Sequence, residues 1–368
     1  MKNILKMNSH LLEIDIQNFR IWSRTRHFAS IARRVLEVRK EEAQQNNEVI
    51  DHKSQVDFGS AGEGLGRYGS FDLSVIMVPY KCKDIFRSAL QAVLDSRVNF
   101  SFEVIIIDND SQDGTVEMVK NEFQSKPEYK DKIVLYENTN EGFPKANNRG
   151  IKMKRGEWVL LLNPDTKVEE NTLQVMMDFM QNRSDVGIAT CKLVKADGSL
   201  DLACRRQFPT PVRAIFRLSG LSFLFPHSKL FASYNMTYKS VDEETEIDAC
   251  AGAFMFISPS CLTNIQGFDE DFFMYGEDID ICVRAKNAGF KIWYYPKTST
   301  IHYKGQSSKK TSSKSLYQFH YNNWLLYKKH YSRKYFHLLD PFVLVGLSIR
   351  FGLKLFINQF RKEPFVSK

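Results

Sequence analysis

The sequence contains no pair of cysteines spaced as C-x-x-C, although six cysteines are spread over its 368 residues. Cysteines paired at that spacing are the usual mark of a zinc site or a redox motif, and disulfide frameworks belong to small secreted proteins. We therefore expect reduced, mostly buried thiols in a cytoplasmic protein. The cysteines are Cys82, Cys191, Cys204, Cys250, Cys261 and Cys282.

Long hydrophobic runs are also missing. The first residues show no secretory signal, and no segment reaches the roughly 20 apolar residues of a membrane-spanning helix. The most apolar segment, 335–356, is interrupted by Asp340, Arg350 and Lys354. Beyond Pro341 the two cations fall on one helical face and apolar residues on the other. This pattern predicts an amphipathic helix that lies on a membrane surface or, as the alternative, packs on the core.

Positive charge is scarce in the middle of the chain and concentrated at its ends. Residues 1–40 hold nine Lys or Arg against three acidic residues, residues 301–368 hold thirteen against two, and residues 41–300 hold 29 against 38. A nucleic-acid-binding protein would carry its positive charge on the folded domain, so we expect no nucleic acid partner. Basic ends suit an anionic membrane surface, and solvated tails are the alternative.

No dinucleotide-binding fingerprint follows a predicted strand. Gly64–Gly69 fits the G-x-G-x-x-G spacing, but it precedes the first strand, which excludes a dehydrogenase arrangement. Residues 1–50 predict an amphipathic helix, and a polar linker follows. We therefore expect three parts, which are a basic N-terminal extension with linker at 1–70, a folded domain at 71–305, and a basic, helical, membrane-associating segment at 306–368.

From residue 71 onward the sequence alternates regularly between apolar strands and helices. Strands that are apolar nearly throughout and separated by helices are typical of a parallel sheet covered on both faces. The sequence therefore predicts an α/β fold with a mostly parallel sheet flanked by helices. The predicted strands are 73–78, 103–107, 132–136 and 158–162, and the predicted helices include 84–97, 115–123, 145–153 and 313–331.

Polar loops follow these strands. Ligands of open α/β sheets bind beyond the carboxyl ends of the strands, so several polar loops at that edge predict a binding rim. Turn formation or helix capping explains any one loop taken alone. Pro79 and Tyr80 follow the first strand, Asp108–Thr115 the second, Asn138–Gly150 the third and Asn163–Thr166 the fourth.

Individual residues at this rim suggest a nucleotide as the ligand. Asp108 directly follows a strand and can accept a hydrogen bond from a base N–H, such as uracil or thymine offers, while Tyr80 can stack on the base. Asp165 is a hard oxygen ligand suited to Mg²⁺ or Mn²⁺, and such a metal would neutralise a diphosphate leaving group. Lys145 and Arg149 can add positive charge.

A second polar cluster opens a later helix. Glu277, Asp278 and Asp280 stand where the aromatic segment 272–275 becomes a helix that ends near Gly289. A helix start needs only one carboxylate as its cap, so one of the three is placed to act as a general base. Plain capping is the alternative.

Together these segments resemble the inverting glycosyltransferases of family 2, which have the GT-A fold, over about residues 71–305. Within that family the chain is most similar to rhamnosyltransferases, which use dTDP-L-rhamnose to build cell-surface polysaccharide. The matching motifs are Asp108-Asn-Asp-Ser-Gln-Asp-Gly-Thr, Asn140-Glu-Gly-Phe, Ala146-Asn-Asn-Arg-Gly, Asn163-Pro-Asp-Thr, Gly252-Ala-Phe-Met-Phe-Ile, Gly267-Phe-Asp-Glu, Gly276-Glu-Asp-Ile-Asp and His302-Tyr-Lys-Gly.

The resemblance implies a nucleotide-sugar donor, a divalent metal, and a saccharide or polyprenyl-linked acceptor. It implies that Asp278 is the catalytic base, with Glu277 beside it, and that Asp165 and His302 hold the metal or the diphosphate. Together with the basic C-terminus, it places the enzyme in the cytoplasm on the inner face of the cell membrane. The donor-binding residues expected are Pro79, Tyr80, Asp108, Asp110, Lys145, Asn148, Arg149 and Asn163.

Three positions depart from the family's pattern. Asn163 stands where many members have the first Asp of D-x-D, Pro79 where a small or hydroxyl residue is frequent, and Pro259 where rhamnosyltransferases often have Arg. The first departure leaves open a catalytically weak or inactive protein that binds a nucleotide sugar at a membrane. A nucleotidyltransferase would carry a Gly-rich basic loop after the first strand, where this chain has Pro79–Cys82.

The predicted helix 313–331 carries three large side chains at helical spacing, His320, Trp324 and Tyr327. They suit an acceptor groove, but packing against the core is the favoured interpretation.

Overall fold

The computed structural model of the protein describes residues 70–303 and 312–360. The predicted N-terminal helix, nearly all of the linker and the glycine-rich segment lie outside the described residues. The described part begins one residue before the first strand.

A nine-stranded sheet runs through the described part of the chain and confirms the predicted α/β fold class. The strands are β1 (Phe71–Met77), β2 (Phe102–Asn109), β3 (Ile133–Asn138), β4 (Gly156–Leu162), β5 (Thr166–Val168), β6 (Val186–Val194), β7 (Thr245–Ile247), β8 (Phe254–Ile257) and β9 (Lys291–His302). Their order is β3–β2–β1–β4–β8–β6–β9–β5, and β7 pairs with β9. Strands β1 to β4 are parallel, as are β6 and β9, whereas β5, β7 and β8 pair antiparallel.

The helices agree with the predicted ones to within a few residues. The predicted helix 115–123 is α-helical only to Val119 and then continues as a π-helical turn to Gln124. The helices are α1 (Lys83–Leu94), α2 (Thr115–Val119), α3 (Phe143–Met153), α4 (Thr172–Gln181), α5 (Pro211–Leu218), α6 (Leu221–Leu224), α7 (Pro259–Ile265), α8 (Glu277–Asn287), α9 (Ser312–His330) and α10 (Asp340–Gln359).

The core lies along both faces of the central strands. Every residue of β2 is buried, as the continuous apolar run predicts for a strand covered on both sides. Helix α3 packs closely on β1, because a Cβ atom added at Gly150 would lie 2.6 Å from Ile76. All six cysteines are free and buried, which confirms the prediction of mostly buried thiols.

Helix α9 holds the segment that precedes α8. Asn322 Nδ2 donates a hydrogen bond to the Met274 carbonyl oxygen at 2.8 Å, and Lys329 Nζ lies 2.6 Å from a carboxylate oxygen of Asp271. His330 Nε2 lies 2.7 Å from Asp280 Oδ1 on α8 itself. Helix α9 therefore fixes both the aromatic loop before α8 and the first turn of α8.

The three large side chains of α9 pack within the fold. His320 is buried, and its Nδ1 donates to the Leu316 carbonyl oxygen at 2.8 Å. Trp324 stacks on Tyr327 with ring centroids 5.7 Å apart, and the Tyr327 hydroxyl donates to Asp340 of α10 at 3.0 Å. Packing therefore accounts for His320 and Tyr327, whereas the half-buried Trp324 contacts Tyr327 and Lys328 of its own helix.

Candidate active site

The parallel register brings the ends of β1, β2 and β4 to one edge of the sheet. Met77 is paired with Ile106 on one side and with Leu162 on the other. Just beyond this row, the Pro79 carbonyl oxygen accepts a hydrogen bond from the Asn109 amide at 2.9 Å. The loops that follow the strands therefore share an edge, as the polar rim requires.

Asp108 has one carboxylate oxygen without a partner. Its Oδ2 accepts a hydrogen bond from the Ser111 amide at 3.0 Å, whereas its Oδ1 is buried and has no hydrogen-bond partner among the described residues. Burial raises the pKa of Asp108, and the hydrogen bonds from Ser111 only partly offset this. An unpaired buried acceptor is costly unless a ligand satisfies it, so Oδ1 is suited to receive a base N–H.

Tyr80 and Asp110 lie in the loops that leave the same edge. The Lys81 ammonium lies 5.2 Å from the centre of the Tyr80 ring. Asp110 adopts a positive φ of 65° and accepts a hydrogen bond from Gln112 Nε2 at 2.7 Å. Donor contacts by Tyr80 and Asp110, like the one predicted for Pro79, stay predictions.

Lys145 and Arg149 extend from the first two turns of α3. Both lie 3.8 Å from the Glu141 carboxylate, and the Arg149 guanidinium lies 4.8 Å from the centre of the Tyr136 ring. Arg149 Nη1 also donates a hydrogen bond to the Tyr136 hydroxyl at 2.5 Å. Both cations are more than a third exposed, and their ion pairs with Glu141 are long and solvated. Their predicted role toward the donor stays a prediction.

The side chain of Asn148, which was predicted to bind the nucleotide sugar, forms hydrogen bonds within the protein. Its amide nitrogen donates to the Phe268 carbonyl oxygen and to Glu270, both at 2.9 Å, and its oxygen accepts from the Phe268 amide at 2.8 Å. The side chain thus joins α3 to the segment that leads to α8. Both amide hydrogens of Asn148 are used within the protein, so Asn148 could contact a nucleotide sugar only through its side-chain oxygen.

The turn after β4 and the end of β9 bring Asp165 and His302 together. His302 Nε2 lies 3.4 Å from Asp165 Oδ1, and His302 Nδ1 lies 2.9 Å from Asp201 Oδ2. The Asn163 amide donates to the Ala253 carbonyl oxygen at 3.0 Å, while the side-chain oxygen of Asn163 is buried without a partner. Burial opposes the charge on His302, but the hydrogen bonds to Asp165 and Asp201 outweigh it and raise the pKa of His302 to about 9.

These residues fit a divalent metal held in an open site. Asp165 Oδ1 and His302 Nε2 face one another, and the unpaired oxygen of Asn163 lies two residues from Asp165. Asp201 holds the other ring nitrogen of His302, which is the usual support behind a metal-binding histidine. Residues 70–303 and 312–360 contain no group of three or more His, Cys, Asp or Glu side chains that would enclose a metal. Most of the coordination sphere would therefore come from a ligand and water.

Asp278 is held in a fixed orientation at the start of α8. Its Oδ2 accepts a hydrogen bond from Arg206 at 2.6 Å, and its Oδ1 accepts one from the Ile279 amide at 2.8 Å. The same Arg206 nitrogen donates to the Cys250 carbonyl oxygen at 2.8 Å. Burial disfavours a charged Arg206, but the negative charge of Asp278 outweighs it and keeps the pKa of Arg206 above its ordinary value.

Gly252 and Ala253 connect Asp278 to the turn after β4. A Cβ atom added at Gly252 would lie 3.9 Å from the Asp278 Cβ and 3.5 Å from the Phe143 ring. The neighbouring Ala253 accepts the backbone hydrogen bond from Asn163. Asp278 and Asn163 therefore border the same two-residue segment, although they are far apart in the sequence.

Glu277 and Asp280, the other two acidic residues in the first turn of α8, differ in their partners and in the direction of their pKa shifts. Burial, and then the charge of Asp278, raise the pKa of Glu277 to about 8, and Glu277 Oε2 is buried without a partner. Asp280 is also buried, but it pairs with Arg284 at 2.8 Å and with His330 at 2.7 Å. Burial favours protonation of Asp280, yet these partners outweigh it and lower its pKa. Asp280 therefore stabilises the fold, and Glu277 is the unsatisfied neighbour of Asp278.

Arg206 and Asp201 are site residues that sequence reasoning missed. Both lie in the irregular chain between β6 and β7, where no helical or strand period marks them. Arg206 is placed by an antiparallel bridge to Ala249. Their only sequence signal is that charged residues occur between apolar ones, and this does not distinguish a buried ion pair from a solvated charge.

The family comparison agrees with this geometry. Residues 72–317 match the family described as "Glycosyltransferase like family 2". The rhamnosyltransferase WbbL of Escherichia coli K12 is 29% identical over 160 residues, which are 44% of this chain and 57% of that protein. The chain thus aligns with little more than half of that relative.

A second relative and a solved structure extend the comparison. The N-acetylglucosaminyl-diphospho-decaprenol L-rhamnosyltransferase of Mycobacterium tuberculosis is 24% identical over 60% of this chain and 73% of that protein. The mannosyltransferase PcManGT from Pyrobaculum calidifontis, solved with GDP-Man and Mn²⁺, superposes with a TM-score of 0.50 at 14% identity, covering 77% of this chain and 76% of that one. This likeness shows the fold, which is that of a GT-A glycosyltransferase.

Proposed function

The chain belongs to the family 2 glycosyltransferases, and from this premise we propose that it transfers a sugar from a nucleoside-diphosphate donor to a hydroxyl group, with inversion at the anomeric carbon. The observation that carries the proposal is the placement of Asn163 and Asp278 on either side of Gly252–Ala253. A donor bound at the strand ends would there present its anomeric carbon to an acceptor activated by Asp278.

The chemistry needs one displacement. Asp278 accepts the proton of the acceptor hydroxyl while that oxygen forms a bond to the anomeric carbon. The bond from this carbon to the diphosphate oxygen breaks, and the nucleoside diphosphate leaves. Arg206 and the Ile279 amide fix the direction in which Asp278 presents its remaining lone pairs.

Asp165 and His302 are the residues that would hold a Mg²⁺ or Mn²⁺ ion, with Asn163 as a further oxygen ligand. Such an ion supplies positive charge that stabilises the leaving diphosphate. In this proposal Asp108 binds the base through its unpaired Oδ1, and Lys145 and Arg149 supply positive charge to the phosphates.

The sugar and acceptor are proposed from the relatives. Both curated relatives described above are named as rhamnosyltransferases, which favours L-rhamnose from dTDP-L-rhamnose as the donor. The mycobacterial relative is named for a diphospho-decaprenol acceptor, which favours a lipid-linked saccharide in cell-surface glycan synthesis. Such an acceptor requires the enzyme to work at a membrane surface, on its cytoplasmic side.

The outer face of α10 supports a membrane location. Phe342, Ile349 and Phe356 are each more than half exposed. No helix within 70–303 and 312–360 has the length and hydrophobicity to cross a bilayer. We infer that α10 lies along the membrane surface with its apolar side chains inserted.

A donor screen tests the proposal. Purified protein with Mn²⁺ is heated alone and with dTDP-, UDP- and GDP-sugars, because a ligand that binds the folded state raises its melting temperature. We expect dTDP-L-rhamnose to give the largest shift, and the absence of any shift would contradict donor binding. Release of dTDP from that donor distinguishes the enzyme from the inactive binding protein that the Asn163 departure left open.

A further inference from the structure

The chain between Asp201 and Asp242 carries charge of one sign only. These 40 residues contain six Lys or Arg and no Asp or Glu, although residues 41–300 as a whole hold 29 cations against 38 acidic residues. Residues 210–232, which contain α5 and α6 and fold back on themselves, are called the basic hairpin below. A concentration of positive charge in an otherwise acidic domain favours an anionic partner.

The apolar residues of the basic hairpin face away from the protein. In α5, Val212, Ile215 and Leu218 follow one another at intervals of three residues, and each is more than half exposed. A surface helix ordinarily turns such an apolar stripe toward the core. In α6 the side chains of Phe223 and Leu224 are exposed as well. Both helices therefore present an apolar surface that suits an apolar partner.

The basic hairpin has a small aromatic core of its own. The Phe231 ring packs edge-on against Phe216, with ring centroids 5.1 Å apart, and its centroid lies 5.4 Å from that of Phe225. Just beyond the hairpin, Thr237 Oγ1 donates a hydrogen bond to the Pro226 carbonyl oxygen at 2.6 Å. The exposed apolar side chains are therefore presented by a packed element.

A cavity of about 330 Å³ lies between α5 and the returning chain of the hairpin. Its lining combines two hydroxyl groups, two cations and two apolar side chains, which are Thr210 and Ser233, Arg213 and Lys229, and Val212 and Leu230. The two apolar side chains are more than half exposed, so they lie at the mouth of the cavity. This lining suits an amphiphile whose anionic head enters the cavity while its apolar chains stay outside.

Two cations of the basic hairpin have no acidic partner within the described part of the chain. Arg213 lies 3.6 Å from the Asp248 carboxylate, but no carboxylate among the described residues pairs with Lys229. Arg217 donates a hydrogen bond to the neutral side chain of Asn235 at 3.1 Å. Lys229 and Arg217 are both exposed, so their charge is available to an anion outside the protein.

We propose that the basic hairpin binds the surface of a bilayer that contains anionic phospholipid. Apolar side chains such as Ile215 and Phe223 enter the layer of acyl chains, and Lys229 contacts a headgroup phosphate at the cavity. Arg217 adds to the attraction. Basic residues beside exposed Phe and Leu are typical of segments that lie in a membrane interface.

A second copy of this chain fits the hairpin less well than a bilayer does. A twofold contact would place the same surface of each copy against the other, so the cations of the two hairpins would repel one another. The bilayer contact of the hairpin is additional to that of α10, and it differs from it in requiring anionic lipid. It does not depend on the proposed transfer reaction.

Sedimentation with vesicles tests the requirement for anionic lipid. The full chain is mixed with phosphatidylcholine vesicles, either pure or with about 30% phosphatidylglycerol. The Arg217→Gln/Lys229→Gln variant should bind the anionic vesicles roughly tenfold or more weakly than the wild type, because each cation near an anionic surface adds to the attraction. It should bind pure phosphatidylcholine vesicles like the wild type. Equal binding of both proteins to the anionic vesicles would overturn the proposal.

A matched variant separates the hairpin from the net charge of the protein. Lys130→Gln/Lys152→Gln removes the same charge from two exposed positions, one before β3 and one near the end of α3. It should bind both kinds of vesicle like the wild type, and a loss equal to that of the hairpin variant would contradict the proposal. Melting curves with and without dTDP should be alike for all variants. Failure of dTDP to bind the wild type would count against the proposed function and leave the hairpin result standing.

Two substitutions at Phe223 test whether the hairpin enters the bilayer. Phe223→Ser should weaken binding to both kinds of vesicle roughly tenfold or more, because an apolar side chain no longer leaves water. Phe223→Trp should bind like the wild type, and lipids with brominated acyl chains should quench its fluorescence more than that of the wild type, which has four Trp residues. No additional quenching would mean that the side chain stays outside the bilayer. Self-association that Phe223→Ser abolishes, measured by light scattering, would identify a second copy as the partner and refute the membrane contact.

Discussion

Two regions of this molecule contain groups that the fold leaves unsatisfied, and the groups are of opposite kinds. Around the candidate active site, Asp108, Asn163 and Glu277 each have a buried side-chain oxygen without a partner in the described structure. On the outside of α5, α6 and α10, large apolar side chains such as Phe223, which is 89% exposed, have no apolar cover. Polar atoms without partners indicate a polar ligand, and apolar surface without cover indicates an apolar partner.

The comparison shows where this fold gives up stability. A buried oxygen without a hydrogen bond costs about 1–3 kcal/mol, and water would ordinarily satisfy it at the surface. Exposed phenylalanines forgo a similar amount of hydrophobic free energy each. A fold that leaves both kinds of group open in separate regions suits the proposed reaction. A polar nucleotide sugar would bind in one region, and the lipid of the acceptor would contact the other.

The largest expected effect is on the rate of transfer, and it tests whether Asp278 acts in the chemical step and not in donor binding. Asp278→Asn keeps the shape of the side chain but removes its ability to accept a proton. We expect transfer to fall by about 10²–10⁴-fold. The dTDP-induced shift in melting temperature should remain. Near-normal turnover by this variant would remove Asp278 as the base.

Asp280→Asn is the matched change two residues along the same helix. Asp280 is buried and pairs with Arg284 and His330, so its loss leaves the Arg284 guanidinium without a carboxylate and removes the hydrogen-bond partner of His330. We expect a loss of about 3–5 kcal/mol in the free energy of unfolding, measured by urea denaturation. The contribution of Asp280 is present above its unfolded pKa of 3.8 and disappears as the pH falls through its lowered folded value. A stable Asp280→Asn protein with poor transfer would contradict the division of roles.

Much of the fold, and part of the site, could be predicted from the sequence because the causes are local. Strands β1, β2 and β4 are mostly buried, and helices separate them along the chain, so their apolar runs reveal them; the edge strand β3 is less buried but follows the same alternation. Asp108 and Asp278 were found because one ends a strand and the other begins a helix.

The remainder depends on contacts between distant residues. The antiparallel pairing of β5 with β9 joins Thr166 to His302, and this pairing is what brings His302 to Asp165. Arg206 meets Asp278 across 72 positions of the sequence. No periodic pattern encodes such contacts. The orientation of α10 could not be predicted either. The sequence shows a cationic face and an apolar face but not which of them the protein covers, and the structure partly covers Arg350 and Lys354 while Phe342 and Phe356 are exposed.

Glu277 gives a pH-dependent test of the unsatisfied oxygens. Burial and the charge of Asp278 raise its pKa to about 8, above the value of 4.5 for an unfolded glutamate. The folded state therefore loses stability as the pH rises from 4.5 to 8, because the unfolded state releases the proton more readily. Glu277→Gln should remove this loss and be more stable than the wild type by about 2–4 kcal/mol at pH 9.

Urea denaturation of the wild type and Glu277→Gln at pH 5, 7 and 9 measures the difference. The two proteins share their other titrating groups, so the comparison isolates Glu277. A difference that does not change with pH would show that Glu277 Oε2 is satisfied in solution.

A smaller effect is expected at Asp108, where the nucleotide base is proposed to bind. An Asp108 carboxylate that accepts an imide N–H should favour dTDP or UDP over CDP, since cytosine has no hydrogen on its N3. Asp108→Asn weakens this acceptor and should reduce dTDP binding by about 1.5–3 kcal/mol. Titration of all three nucleotides against both proteins should show the preference in the wild type and its loss in the variant. Equal binding of CDP and UDP by the wild type would place the base elsewhere.

The smallest effect per residue is expected on the apolar region, where many side chains share the contact. Phe356 is 60% exposed, so Phe356→Glu should change the free energy of unfolding by no more than about 0.5 kcal/mol. Loss of the Phe356 ring would nevertheless remove about 1.5–3 kcal/mol of favourable transfer free energy into lipid. This predicts a roughly tenfold or greater drop in vesicle binding, measured by sedimentation. Val241→Glu makes the same charge change in the turn before β7, away from α5 and α10, and should leave vesicle binding unchanged. If both variants bind vesicles equally well, the uncovered apolar side chains of α10 have a partner other than lipid, and the contrast between the two regions does not reflect a membrane.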